Sequence, residues 1–272
     1  MKILRWATVI VFAAVLGLYC AFSIMENLNT DKTYPTITLP GDILEISIAS
    51  DTSELLRDIE AFDEKDGDLT DKVIVESISQ FISDNTCTVT YAVADDDCHV
   101  AKATRTVRYT DYAPPRFYLK KPLVFAVDEK VDIRDLVGAE DCIDGDISDR
   151  VTVIATDYLN TTAGVFNLSL QVSNSRGDMI YLDLPIYVEQ NNKLAPKVAL
   201  TESLIYIKKG ETPAFEDYVR DVTINGTVVD NYKMLISSNL VSEKEGVYNI
   251  HYYVTDDNGY EGHSILTVIV EE

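Results

Sequence analysis

The sequence is poor in basic residues: 23 Lys and Arg stand against 45 Asp and Glu, a formal charge of −22 over 272 residues. Such a balance repels nucleic acid and argues against docking on an anionic membrane surface. Histidine is scarce, with three in the chain, and His99, His251 and His263 lack the spacing of a metal motif such as His-Glu-x-x-His. Neither a Gly-x-Ser-x-Gly elbow nor a phosphate-cradling glycine loop occurs. No catalysis, cofactor or resident metal is therefore expected. Cysteine is also sparse, with Cys20, Cys87, Cys98 and Cys142. The tempting pair, Cys87 with Cys98, sits about 25 Å apart along one hairpin at about 3.3 Å per residue. A disulfide tolerates only roughly 6 Å between Cα atoms. No disulfide framework is expected, and Cys87 reads as a small core residue. Cys98 beside His99 lies among Asp95, Asp96 and Asp97, a setting that works against a thiol nucleophile.

Long apolar runs are missing after residue 25, and one occupies the start. Lys2 and Arg5 precede an uncharged stretch from Trp6 to Ile24, close to the twenty or so residues that cross a bilayer. Basic flanks stay in the cytoplasm, which places the remainder outside. Residues 1–25 are read as a signal anchor or signal peptide, the length favouring an uncleaved single-pass anchor over cleavage near Ala21 and Ser23. Lipid attachment at Cys20 is opposed by bulky Tyr19 just before it.

The rest of the chain alternates. In Tyr248, Ile250, Tyr252 and Val254 every second residue is apolar, with Asn249, His251 and Tyr253 between them, the mark of a half-buried strand. A turn at Thr255 to Gly259 and a return strand from Ile265 to Val270 complete a hairpin. Phe166, Leu168, Leu170 and Val172 repeat the series, as do Cys87, Val89, Tyr91 and Val93. Three copies at about eighty residues mean three modules, assigned to 32–111, 112–190 and 191–272. Each opens with proline before a strand, at Pro35, Pro115 and Pro196, where the missing N–H costs no ladder bond. Short strands and turns without sustained helical periodicity give an all-β fold: three tandem immunoglobulin-like β-sandwiches after an N-terminal transmembrane helix.

The string Val89-Thr-Tyr-Ala-Val-Ala-Asp-Asp, then Ala103-Thr-Arg-Thr-Val-Arg and Asp111-Tyr-Ala-Pro-Pro, resembles the bacterial immunoglobulin-like repeat also found in pesticidal crystal proteins. The turns Asp66-Gly-Asp-Leu-Thr and Asp144-Gly-Asp-Ile-Ser are similar to that family as well. The third module departs at the acidic turn but keeps its hairpin. The resemblance implies a bacterial surface or secreted spacer and binding module in tandem copies. It implies no catalytic residue and fixes no ligand.

Two features remain as candidate sites. Asp66, Asp68 and Asp71 with Asp63 nearby, and again Asp144, Asp146 and Asp149, gather carboxylates that extracellular calcium could use. Asp-Gly-Asp is also an ordinary turn whose aspartates bond neighbouring N–H groups, and the spacing is not that of the twelve-residue calcium loop. The turn reading is preferred, and the tips at Asp95 to Asp97 and Asp256 to Asn258 are expected to be solvated. Tyrosine, sixteen in all, is the other feature. Tyr118, Tyr158, Tyr181, Tyr187, Tyr232 and one of Tyr252 and Tyr253 could expose rings to a glycan or protein partner, but tyrosine is a favoured strand residue and a core or half-buried role is the default for most of them. His251 and His263 read as ordinary surface residues, with outward-facing His251 and Tyr253 the first place to look for a partner. The Asn-x-Ser/Thr sites at Asn160, Asn167 and Asn225 would matter only in a eukaryotic secretory pathway. The expected protein is a membrane-anchored extracytoplasmic binding, adhesion or spacer module, its partner a surface protein or glycan and not nucleic acid. A calcium-stiffened secreted adhesin or carbohydrate-binding rod is the alternative.

Overall fold

The computed structural model describes residues 2–29, 32–41, 43–83, 85–190, 192–230 and 232–272. Residues 30 and 31 of the polar stretch after the anchor, and 191 at the assigned start of the third module, lie outside them. Helix α1 (Lys2–Asn29) carries the apolar run. Its segment Trp6–Met25 is long and apolar enough to cross a membrane, and none of the described side chains there is buried. Beyond α1 the chain forms two compact units, Met1–Asp111 and Tyr112–Glu272, and each is treated by itself.

The first unit adds seven strands to the helix: β1 (Thr36–Thr38), β2 (Leu44–Ile46), β3 (Glu60–Asp63), β4 (Gly67–Asp68), β5 (Ile74–Ile78), β6 (Thr86–Ala94) and β7 (Val100–Tyr109). They make a three-stranded sheet, β1-β3-β4, and a four-stranded one, β2-β7-β6-β5. β2 runs parallel to β7, while the other neighbours are antiparallel. Alternation decides which side chains enter the sandwich. Cys87, Val89, Tyr91 and Val93 of β6 are buried, with Cys87 wholly so. The Tyr91 ring fills the core and its hydroxyl donates to the Leu55 carbonyl at 2.7 Å. That carbonyl belongs to a short 3-10 turn, Thr52–Leu56, capped by Asp51.

The same arrangement occurs twice in the second unit. One sandwich comprises β8 (Arg116–Leu119), β9 (Val124–Ala126), β10 (Val137–Asp141), β11 (Gly145–Asp146), β12 (Thr152–Thr156), β13 (Gly164–Ser173) and β14 (Met179–Glu189). The other comprises β15 (Lys197–Leu200), β16 (Leu204–Lys208), β17 (Val219–Ile224), β18 (Thr227–Val228), β19 (Lys233–Ser238), β20 (Gly246–Thr255) and β21 (Glu261–Glu271). Their sheets, β8-β10-β11 with β9-β14-β13-β12 and β15-β17-β18 with β16-β21-β20-β19, repeat the order of the first. β9 and β16 again lie parallel to the last strand. An early strand crossing over to the edge beside the last one is the immunoglobulin-like connection. Pro35, Pro115 and Pro196 each sit buried one residue before the opening strand.

The final hairpin departs from the sequence reading at one point. Its return strand begins at Glu261, four residues before Ile265, and pairs Thr255 with Glu261 and Tyr253 with His263. The inward positions there are Gly262 and Ser264, both buried, so no apolar residue marks the alternation. Glycine is required at 262 because a Cβ would lie 1.8 Å from the Pro196 carbonyl oxygen.

Candidate functional site

The acidic turns act as internal fasteners. Asp63 Oδ1 accepts from the backbone N–H groups of Lys65 and Asp66 at 2.8 and 3.1 Å. Asp141 does the same for Ile143 and Asp144, both at 2.9 Å. Asp66 reaches across to the hairpin tip and accepts from Asp96 N at 2.9 Å. Asp144 accepts from Ser175 N and Oγ at 2.6 and 2.7 Å and pairs with Arg150. Asp68 and Asp146 cap the next turn through Thr70 N and Ser148 N, each at 3.0 Å. Hydrogen bonds from those side chains and backbones hold both carboxyls below the ordinary range. Asp71 and Asp149 are exposed. Among the described residues no three His, Cys, Asp or Glu side chains are placed to hold a metal ion.

One hairpin tip departs from the expected solvated turn, at its first residue, while Asp96, Asp97, Asp257 and Asn258 are exposed. Asp95 is buried rather than solvated; it accepts from His99 N at 2.7 Å and contacts the His99 ring at 2.8 Å. Asn174 and Asp256 take its place in the other modules, bonding Arg176 N and Asp178 N, and Asn258 N and Tyr260 N. The side chain that begins each tip thus closes it.

Most of the tyrosines keep to the half-buried default. Of Tyr118, Tyr158, Tyr181, Tyr187 and Tyr232 only Tyr181 is exposed. Tyr158 packs edge-on between Phe125 and Phe166, the Tyr118 ring lies over Gly138, and Tyr232 packs against the third core. Tyr252 points inward and donates to the Phe215 carbonyl at 2.9 Å, matching Tyr91.

His251, Tyr253 and His263 lie on the outer face of the β20–β21 sheet, as alternation requires, yet they are not an open surface. The last turn of β14 covers them. His263 contacts Glu189 at 2.5 Å through Nδ1 and His251 at 2.9 Å through Nε2, the latter meeting His251 Nδ1. Its side chain keeps only 4% exposure. Tyr253 stacks on His263 with centroids 4.5 Å apart, and Tyr187 stands edge-on to both imidazoles at 5.2 and 5.8 Å. Burial first, then the neighbouring His263, push His251 below the usual imidazole range, with Glu189 opposing. The reading of these histidines as ordinary surface residues is overturned, because the sequence pattern of one sheet does not reveal what another sandwich places on it.

A second contact strengthens the same joint. Tyr206 of β16 accepts from Phe117 N at 2.8 Å and donates to Phe117 O at 3.1 Å. Arg116 sits over its ring at 4.8 Å and pairs with Glu271. Burial raises the Tyr206 hydroxyl to about 12. Leu204, Tyr206, Val247 and Ile269 pack against the core of the second sandwich, so β8 and β16 share apolar contact. Beside His263 opens a cleft of about 590 Å³ whose walls include Phe125, Glu129, Lys193 and Pro196. Residues of both sandwiches line it, and the charged side chains among them suit a polar ligand.

Comparison with known proteins gives limited company. No family model matches the chain. An uncharacterized 81.3 kDa protein of Acholeplasma phage L2 is 26% identical over 138 residues, which is 49% of this chain and 18% of that protein. Among solved structures, Drosophila N-cadherin EC1-3 is 11% identical, covering 89% of this chain and 90% of its own, with a TM-score of 0.30. The M60 catalytic domain with CBM51-1 and CBM51-2 from Clostridium perfringens ZmpB is 15% identical over 89% of this chain and 31% of that one, at a TM-score of 0.23. CBM51-2 in complex with GlcNAc and INT domains from the same protein is 14% identical over 58% and 42%, at 0.28. The chain spans less than a third of the first of the ZmpB chains and under a fifth of the phage protein.

Proposed function

We propose that the chain is a membrane-anchored extracytoplasmic protein whose immunoglobulin-like sandwiches serve as spacer and binding modules, without catalysis. The observation that carries this reading is the helix surface from Trp6 to Met25. Phe12, Leu18, Phe22 and Ile24 are exposed at 60% or more, and none of the described side chains of the segment is buried. An apolar cylinder of this length is stable in hydrocarbon, where its backbone bonds are satisfied within the helix, and is costly in water. The basic residues Lys2 and Arg5 assign the amino end to the cytoplasm, and the bacterial immunoglobulin-like resemblance fits a surface location. The cleft beside His263 is where the reading places a partner, a surface protein or a glycan.

The test is fractionation of cells producing the full chain, with amino-terminal sequencing of the recovered protein and protease added from outside. Retention in membranes after alkaline washing, an intact start and digestion of the sandwiches from outside are expected. A mature chain beginning near Ile24 and released to the medium would replace the anchor with a secreted form.

A further inference from the structure

We propose that the outer edge of strand β19 is a self-pairing surface, through which two copies of the chain join their third sandwiches antiparallel about a two-fold axis at Leu235.

Every sandwich ends its four-stranded sheet on such an edge, β5, β12 or β19, and an open edge invites another strand unless something spoils it. Two of the three are spoiled. β5 slips register between Val75 and Ser77, and β12 between Val153 and Ala155, bulges that leave Glu76 and Ile154 out of the ladder. β19 carries no such irregularity: six consecutive residues, Lys233 to Ser238, pair with Thr255 to Ile250. At the opposite edge of the same sheet, Tyr206 of β16 bonds Phe117 of the second sandwich. Among the described residues β19 is the uncovered edge of that sheet.

The ladder decides which groups it offers. Asn239 N donates to Asn249 O at 3.4 Å, and bonded residues alternate along an antiparallel pair. Lys233, Leu235 and Ser237 accordingly bond to β20, while Met234, Ile236 and Ser238 turn their N–H and C=O groups to the open edge. Among the side chains, the same alternation packs Met234 and Ile236 against the core. It leaves Leu235, beside Tyr253 on the outer face, 64% exposed.

These features fit a second copy better than an unrelated strand. A two-fold axis at Leu235 sets Met234 of each copy opposite Ile236 of the other, so the outward backbone groups satisfy one another. It brings the two Leu235 side chains together as a non-bonded pair, with about 4.5 Å between Cα atoms, and covers apolar surface that each copy alone exposes. Charge permits this approach. In a chain of formal charge −22, β19 carries Lys233 and no acid, and this register sets Lys233 opposite neutral Ser237. Like charges directly opposite, which oppose pairing, do not arise.

Disulfide trapping of the full chain in detergent micelles tests the register. The background carries Cys20→Ser, Cys98→Ser and Cys142→Ser and retains buried Cys87. Leu235→Cys is expected to give a covalent dimer on mild oxidation, because a disulfide spans Cα atoms about 4.4–6.8 Å apart. Ser237→Cys is the control, since its two copies lie about 13 Å apart along the strands, and about a tenth as much dimer or less is expected. Leu235→Lys and Leu235→Glu change an exposed position and are each expected to sediment as monomers, while an equal mixture of the two regains the dimer. Equal trapping at 235 and 237 overturns the pairing, as does a dimer that persists in either charge variant or a mixture that stays monomeric. A monomeric natural chain also overturns it and leaves β19 to a strand of another protein.

Discussion

Asn174 donates to Asp141 at 3.0 Å, and both side chains are buried. This pair fastens the Asp-Gly-Asp loop of the second module to the tip of its closing hairpin. The first module places Asp63 and Asp95 at the corresponding positions, both buried, and there the donor is missing: Asp63 Oδ2 is enclosed with no hydrogen-bond partner. A buried carboxylate oxygen left unsatisfied costs about 1–3 kcal/mol. Asp95→Asn supplies an N–H₂ donor while its remaining oxygen can still accept from His99 N. The substitution is expected to stabilise the first module by about 1 kcal/mol, the lost contact of Asp95 Oδ2 with the His99 ring being the offset. Thermal unfolding of the full chain checks it; a lowered melting transition would show that Asp63 and Asp95 do not share the arrangement of Asp141 and Asn174.

Cys98 has φ of 69°, in the tip position where the later modules carry Gly177 and Gly259 at 79° and 83°. A side chain in this left-handed region costs about 1–2 kcal/mol that glycine avoids. Cys98→Gly should therefore raise the urea midpoint of the first module, with a gain of about 1 kcal/mol after the greater freedom of glycine in the unfolded chain is deducted. Cys98→Ala, which keeps the Cβ, serves as the control and should leave the midpoint nearly unmoved.

Millimolar calcium is expected to leave the melting temperature of the full chain unchanged. Asp63, Asp66, Asp68, Asp141, Asp144 and Asp146 already accept from backbone or hydroxyl donors, so a cation would have to displace those bonds before gaining its six to eight oxygens. Acid acts on the same loops. The lowered carboxyls of Asp68 and Asp146 contribute stability above 3.8 that is lost as pH falls through their folded values. A calcium-dependent rise of several degrees would return these loops to the list of binding sites.

Tyr206→Phe removes one hydroxyl that both accepts from and donates to the backbone of Phe117. Two backbone groups at the start of β8 are left without that partner, a cost of about 1–3 kcal/mol at the joint. Exchange at 116–118 should rise in this variant while the centre of β13 keeps its protection. Equal loss in both places would mean that Tyr206 supports the whole sandwich and not the contact between two.

The sandwiches are legible because each strand obeys a period of two that burial enforces. Cys87 could be assigned to the core from its place opposite Phe166 and Tyr248 in three aligned series, and the structure buries it completely. The Asp-Gly-Asp turns were equally readable, since glycine and aspartate have local reasons to be there. The joint was not. Alternation correctly sends His251, Tyr253, Tyr187 and Glu189 outward from their own sheets, and nothing within eighty residues says that the two outer faces meet. The available signal was a cluster of three rings, His251, Tyr253 and His263, on one outward face. Buried Asp95 was missed for a similar reason, as its partner loop lies thirty residues away and a run of three aspartates resembles a solvated tip.

Gly262 tests whether the start of β21 depends on close backbone approach to Pro196 within the third sandwich. Its neighbour His263 contacts Glu189 and Glu261 borders the cleft, so a shift at 262 reaches both. A methyl group there would meet the Pro196 carbonyl oxygen at 1.8 Å and its carbon at 2.6 Å, and backbone on both sides leaves no flexible side chain to yield. Gly262→Ala must push β21 away from the segment that enters β15, with a cost of about 1–3 kcal/mol typical of overpacking. Gly164→Ala, where the nearest atoms lie 3.7 Å from the added carbon, is the matched control. The first variant is expected to lose amide-exchange protection at 261–265 and 186–190, and the control to behave as the natural chain. Natural protection in Gly262→Ala would show that Pro196 moves freely and that the contact of His263 with Glu189 does not depend on this approach.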